Sequence, residues 1–128
     1  MNWYSRHHIE DIKKADLRYP IFVTEEYDIV DGAHRTAKAY LQGKPIEAIV
    51  LTPEELDVAI IDPERNYRGQ VYVDEKDNVY AVTEIQKKFS GKPTVKLDPE
   101  KLLERNKDCW GDEKIMDIIA EMEKDELV

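Results

Sequence analysis

The sequence predicts an α+β protein, with a small domain over residues 1–62 and a hairpin-and-helix appendage over residues 63–128. Three observations lead there. Short β-rich runs alternate with segments of helical spacing in the first half. A glycine turn, Asp31-Gly32, joins one of those runs directly to a helix. Two further β-rich runs flank the polar stretch Asp74-Glu75-Lys76-Asp77, and helical segments follow to residue 126.

The elements read in order as follows. Ile9 to Leu17 is a short helix: Ile9, Ile12 and Lys13 share a face that Leu17 continues, and Glu10 and Asp11 sit in a first turn where the helix dipole favours acids. Pro20 ends it and starts an extended segment. Ile21-Phe22-Val23-Thr24 is a strand and Glu25-Glu26 a turn. Tyr27-Asp28-Ile29-Val30 is a second strand, whose consecutive apolar residues suit a sheet covered on both faces. Ala33 to Gln42 is a helix with Ala33, Ala37, Tyr40 and Leu41 in one stripe; Gly43 closes it and Pro45 blocks continuation. Ile46 to Leu51 is a third strand. Thr52-Pro53-Glu54-Glu55 opens another helix, with Thr52 and Glu55 as a capping box and Pro53 at the first helical position.

Asp62 to Asn66 reads as a linker. Gly69 to Val73 and Asn78 to Val82 then form a hairpin. Thr83 to Phe89 is a short helix, Gly91-Lys92-Pro93 a turn, and Thr94 to Leu97 a short strand. Asp98 caps a helix that buries Leu102 and Leu103, and Trp110 and Gly111 interrupt the chain. Asp112 to Glu126 is an acidic helix with the apolar stripe Ile115, Ile118, Ile119 and Met122.

Acidic residues number 28 against 19 basic ones, a formal net charge of −9. That balance speaks against nucleic acid as a partner, because its backbone is held by concentrated Lys and Arg. The single cysteine, Cys109, has no internal partner for a disulfide, which suits a reducing compartment. The first residues carry no apolar stretch of the signal-peptide kind. The longest apolar run, Ala48 to Leu51, is far too short for a bilayer. The expectation is a soluble, cytoplasmic protein with no membrane partner.

Chemistry is most legible in Val30-Asp31-Gly32-Ala33-His34-Arg35. A strand that turns at glycine into a helix presents unpaired amides and a partial positive charge, which suits a phosphate. Gly32 permits the turn and a close ligand approach. Arg35 adds a forked cation, and His34 a donor or a proton carrier. Asp31 is open to three roles: holding Mg²⁺, meeting a substrate hydroxyl, or orienting Arg35. A structural arrangement, with Asp31 capping the helix and Arg35 pairing with a surface acid, fits the same pattern.

The run Asp31-Gly32-Ala33-His34-Arg35, with Ala37, Tyr40, Leu41, Gly43 and the strand Ile46 to Val50, resembles the ParB/sulfiredoxin superfamily. Upstream, Ala15-Asp16-Leu17, Tyr19-Pro20-Ile21 and Ile29-Val30 are similar to small ParB-like proteins of that group. The resemblance spans roughly residues 7–61. It implies a small mixed sheet with helices, and phosphate or nucleotide contacts for Gly32, Ala33, His34 and Arg35. It also implies a nucleoside di- or triphosphate with Mg²⁺ as cofactor. Members include CTP- and DNA-binding partition proteins, ATP-using sulfiredoxins and an ADP-dependent free-serine kinase. Sulfiredoxin carries its catalytic Cys where this chain has Ala33, which excludes that chemistry. Partition proteins carry Gly-Glu-Arg-Arg, where this chain has Ala33 and His34 in place of Glu and the first Arg.

Phosphoryl transfer to a small polar acceptor is the concrete expectation, with Asp31 and His34 as catalytic candidates. Glu25, Glu26 and Asp28 are candidates for a second carboxylate. The alternatives are a non-catalytic interaction module that meets a protein partner through residues 63–128, and a DNA-associated ParB-like protein. His7, His8 and His34 together suggest zinc only if they converge, and adjacent histidines usually point apart. Trp3, Tyr4 and Trp110 are available to stack on a base, although core packing is their default role.

Overall fold

The computed structural model describes residues 3–110 and 114–124, with side chains from Arg6 onward. The elements are α1 (Trp3–Lys14), β1 (Ile21–Thr24), β2 (Ile29–Asp31), α2 (Ala33–Leu41), β3 (Ile46–Leu51), α3 (Pro53–Asp57), β4 (Ile60–Ile61), β5 (Val71–Val73), β6 (Val79–Ala81), α4 (Val82–Phe89), β7 (Val95–Leu97), α5 (Pro99–Arg105) and α6 (Ile115–Lys124). The fold is α+β. A mixed four-stranded sheet has the order β2-β1-β3-β7, with β1 and β3 parallel and the outer pairs antiparallel. A second, antiparallel sheet has the order β4-β6-β5. Each sheet draws strands from both sides of residue 62, so the division expected there is not a division between sheets.

Strand alternation explains why β1 is apolar throughout. Successive side chains point to opposite faces. Ile21 and Val23 join Ala39 of α2, Ile46 and Ala48 of β3, and Leu102 of α5 on one side. Phe22 joins Ile49, Leu51, Leu56, Tyr80 and Ile85 on the other. All four β1 residues and all three of β2 are buried, as a sheet covered on both faces requires. A third cluster lies among the helices, where Ile9, Ile12, Ala37 and Leu103 meet the α6 stripe Ile115, Ile118, Ile119 and Met122. Each of the isoleucine, leucine and methionine side chains among these contributes about 1.5–3 kcal/mol by leaving water.

The helix ends follow their sequence signals. Gly43 takes φ 66°; its N–H donates to Tyr40 O at 3.1 Å, and Lys44 N–H donates to Ala39 O at 3.0 Å, a complete Schellman closure of α2. At α3, Glu55 N–H donates to Thr52 Oγ1 at 3.2 Å and Thr52 N–H donates to Glu55 Oε1 at 2.9 Å. Removing that cap by Thr52→Ala is expected to cost about 1 kcal/mol in urea unfolding, while Thr52→Ser retains most of it. Equal stability of wild type and Thr52→Ala would refute the assignment.

Several elements differ from expectation; the hairpin strands are observed over Val71–Val73 and Val79–Ala81 rather than 69–73 and 78–82, and Val82 begins α4. Helix α1 runs from Trp3 and ends at Lys14 rather than Leu17. Asp16 stops it: its carboxylate accepts from the Arg18 N–H at 3.0 Å and grips the Arg18 guanidinium, which draws the backbone into a local turn. That grip lowers the Asp16 pKa to about 2. Strand β2 begins at Ile29 rather than Tyr27. Tyr27 has φ 67°, and Thr24 Oγ1 accepts from the N–H groups of Glu26 and Asp28 to close the preceding turn. The two-residue β4, paired with β6, was not expected, although Val58 to Ile61 is an apolar run that ends at Asp62-Pro63. The expected helix 112–126 is observed over Ile115–Lys124; Lys114 precedes it outside the helix, and 112, 113, 125 and 126 lie outside the described residues, as do Gly111 and the side chains of Trp3 and Tyr4.

Candidate functional site

The sharp turn from β2 into α2 rests on Gly32, which takes φ 115° and ψ 25° at the helix N-cap. A Cβ built there would lie 2.2 Å from Ile21 Cγ2 and 2.6 Å from Ile21 Cβ. No side chain caps the helix. Thr36 turns the Gly32 carbonyl inward, with both its N–H and its hydroxyl donating to that oxygen at 2.9 Å. The amides of Ala33, His34 and Arg35 therefore have no partner within the helix.

Asp31 is buried at the end of β2. Its carboxylate accepts from Arg35 Nη2 at 3.0 Å and Gln86 Nε2 at 2.8 Å, with a longer 3.4 Å contact from Gln70 Nε2. Of the roles open to it from the sequence, the geometry displays the orienting one. Arg35 Nη1 also donates to the carbonyls of Pro20 at 2.7 Å and Tyr19 at 3.2 Å. One guanidinium thus ties the chain entering β1 to the end of β2 and to the first turn of α2.

His34 sits beside this anchor. Its Nε2 lies 2.9 Å from His8 Nδ1 and 3.7 Å from Asp11 Oδ2. The Trp110 ring stacks on His8 at 4.0 Å between centroids and 9° between planes, and on His34 at 5.0 Å and 28°. Burial is the main cause that lowers the His34 pKa, opposed by Asp11 and reinforced by His8 and His7. Burial thus favours the neutral imidazole of His34.

These residues line one wall of a groove of about 1530 Å³, which is ample for a nucleotide. Asp31, Gly32, Ala33, His34 and Arg35 all reach it, so the structure brings the whole predicted motif to one place. The rest of the lining comes from Gln70 to Val73 and from Arg105 to Trp110. Of the acids proposed as a second carboxylate, Asp28 lines the groove and pairs with Arg105 at 3.1 Å, whereas Glu25 and Glu26 are exposed in their turn. Burial pushes the Tyr72 hydroxyl pKa up to about 12, with Asp28 and Asp74 adding to the effect. Lys14 and Lys107 also line the groove and supply positive charge to it.

Cys109 lines the groove too, but burial of its thiol raises the pKa to about 11, so it holds little thiolate at neutral pH. Among the described residues, no three His, Cys, Asp or Glu side chains are grouped as metal ligands. No helix among the described residues is long and apolar enough to cross a membrane.

Sequence reasoning missed Gln70, Gln86 and Asn106. The two glutamines look like ordinary surface residues in the sequence and acquire their role only by reaching Asp31. Asn106 is buried; its Oδ1 accepts from Ile29 N–H at 2.8 Å, and its Nδ2 donates to the carbonyls of Leu102 at 2.7 Å and Tyr27 at 3.0 Å. It fastens the end of α5 to the edge of β2. No family model, curated protein or solved structure matches this chain.

Proposed function

We propose that this protein is a nucleotide- or phosphate-ligand-binding protein of ParB/sulfiredoxin-like fold, and that the start of α2 holds the phosphate. The observation that carries this reading is the uncapped helix start, whose first amides border a groove with Lys14 and Lys107 among its lining residues. Backbone amides at a helix start and nearby cations are the usual means of holding phosphate.

The residues present fit the phosphate end of a nucleoside di- or triphosphate. The amides of Ala33 to Arg35 hold its oxygens, and Asp31 and Arg35 keep those amides in place. When bound, such a nucleotide with Mg²⁺ supplies a transferable phosphoryl group. His34, whose neutral form burial favours, stands beside the helix start and takes the proton of a small polar acceptor. Asp31 serves by positioning Arg35, because its carboxylate already accepts three donors.

A thermal-shift panel of ATP, ADP, CTP, GTP and inorganic phosphate, each with and without Mg²⁺, tests this reading. A ligand that binds only the folded state raises the melting temperature by mass action. The informative variant is His34→Glu, which places a carboxylate where the anion would sit while agreeing with the helix dipole. Stabilisation of wild type and none of His34→Glu is the expected result. No shift with any ligand at millimolar concentration would sink the reading.

One observation favours a non-catalytic interaction module instead. Ile61, Val79 and Val73 stand in register across the second sheet, and Val73 and its neighbour Val71 are exposed on the free edge strand β5. On that reading residues 63–128 meet a protein partner through this face. Binding of none of the panel ligands would favour it.

A further inference from the structure

From the contact between two imidazoles on different helices, we infer that His8 and His34 take up protons as one unit, and that this unit makes anion binding at the start of α2 depend on pH. The coupling to an anion rests on the phosphate reading above; the paired titration does not.

The facing atoms are His8 Nδ1 and His34 Nε2, 2.9 Å apart. A bond at that distance holds one hydrogen, so one nitrogen donates and the other accepts. With no extra proton the pair is neutral and the bond is intact. One added proton leaves the bond in place and gives the pair a single positive charge. A second added proton puts hydrogens on both facing nitrogens, which breaks the bond and sets two like charges side by side. The pair therefore titrates in two separated steps that belong to both rings. Two independent histidines would titrate together near the ordinary value of about 6.5.

Burial of His34 is the largest influence and opposes its protonation, and the nearby carboxylates favour it. Asp11 on α1 lies 3.7 Å from His34 Nε2, and Asp31 on β2 acts in the same direction from a greater distance. His7 on α1 opposes both steps, but Asp11 also pairs with it at 3.4 Å. The Arg35 charge beside His34 is directed at Asp31. Trp110 stacks on both rings, which fixes their mutual position.

The location makes the protonation consequential. His34 is the second residue of α2, next to the amides assigned to the anion, and it lines the groove with Lys14 and Lys107. An anion there stabilises the singly charged pair. By linkage, the first proton strengthens anion binding by the same factor. Anion affinity rises as pH falls through the first step, by up to about tenfold per pH unit.

The test is an NMR titration of the imidazole nitrogens in the full chain, from pH 8 to pH 4.5, with and without sulfate. Sulfate is chosen because its charge is constant over that range. Two variants accompany wild type: His8→Asn, and His8→Phe, which keeps a ring against Trp110. The expected result has three parts. Wild type shows two steps, each sensed by both rings. His34 titrates in a single step in either variant. Sulfate moves the first wild-type step upward.

Independent titration of His8 and His34 in wild type would overturn the inference, whatever sulfate does. Two coupled steps that bound sulfate leaves unmoved, with binding seen at the Ala33 amide, would overturn the coupling alone. Two coupled steps with no sulfate binding at pH 5.5 would overturn both the coupling and the phosphate reading. Should one variant unfold, the other carries the comparison.

Discussion

Gly32→Ala is expected to lower stability by about 3–5 kcal/mol, because two costs of different origin fall on one methyl group. The first is conformational. At φ 115° the residue lies in a region open to glycine and strained for any L side chain. The second is steric. The new Cβ would meet Ile21 Cγ2 at 2.2 Å and Ile21 Cβ at 2.6 Å, and a change of rotamer moves only the first of these. Ile21 is fully buried against the α2 side of the sheet, so its backbone has little room to retreat. Relief requires β1 and α2 to separate, which breaks the packing of Ala39 and Ile46 as well. Urea unfolding at pH 7 measures the loss. A cost below about 1 kcal/mol would mean that the β2–α2 corner is far more yielding than this packing allows.

The second large effect is expected from Asp31→Ala, at about 3 kcal/mol. The side chains of Asp31 and Arg35 are only 9% and 17% exposed, so the pair is mostly out of water. Deleting the carboxylate strands a guanidinium that cannot give up its charge. It also removes the acceptor of Gln86, and with it a polar link between α4 and the first sheet. Arg35 keeps its bonds to the Tyr19 and Pro20 carbonyls, which holds the loss below that of a fully isolated charge. Asp31→Asn should cost less, since its oxygen still accepts from Arg35, but its amide faces a glutamine donor. The diagnostic measurement is a double-mutant cycle. Arg35→Ala should cost markedly less in the Asp31→Ala background than in wild type, and additive losses would show that the two side chains do not act as a pair.

The motif was legible because it is local. Gly32, the β2–α2 junction, the Gly43 closure and the Thr52–Glu55 box are each specified within a few residues, by backbone rules that act along the chain. The α+β class and most element positions follow from periodicity for the same reason. What escaped the sequence is what depends on distant partners. Gln70 and Gln86 meet Asp31 across 39 and 55 residues, and Asn106 meets Ile29 across 77. Strand β7 reads as a short β-rich run, but nothing in it specifies β3 as its neighbour. The apparent function of Arg35 changed for a similar reason: a forked cation beside a glycine turn suggests an anion, and only the fold brings the Tyr19 and Pro20 carbonyls within its reach.

The placement of β7 and Asn106 has a kinetic consequence. The parallel pair β1–β3 can form early in synthesis, but its outer neighbour β7 spans only residues 95–97, and the bond that fastens the β2 edge comes from residue 106. Contacts of such sequence separation are slow to close and arise after local structure. A nascent chain that has released only its first 90 residues has the motif but lacks the part of the groove that runs from Arg105 to Trp110. Ligand-dependent protection from proteolysis should therefore begin abruptly, once the chain has cleared the ribosome past Trp110, rather than growing in proportion to length.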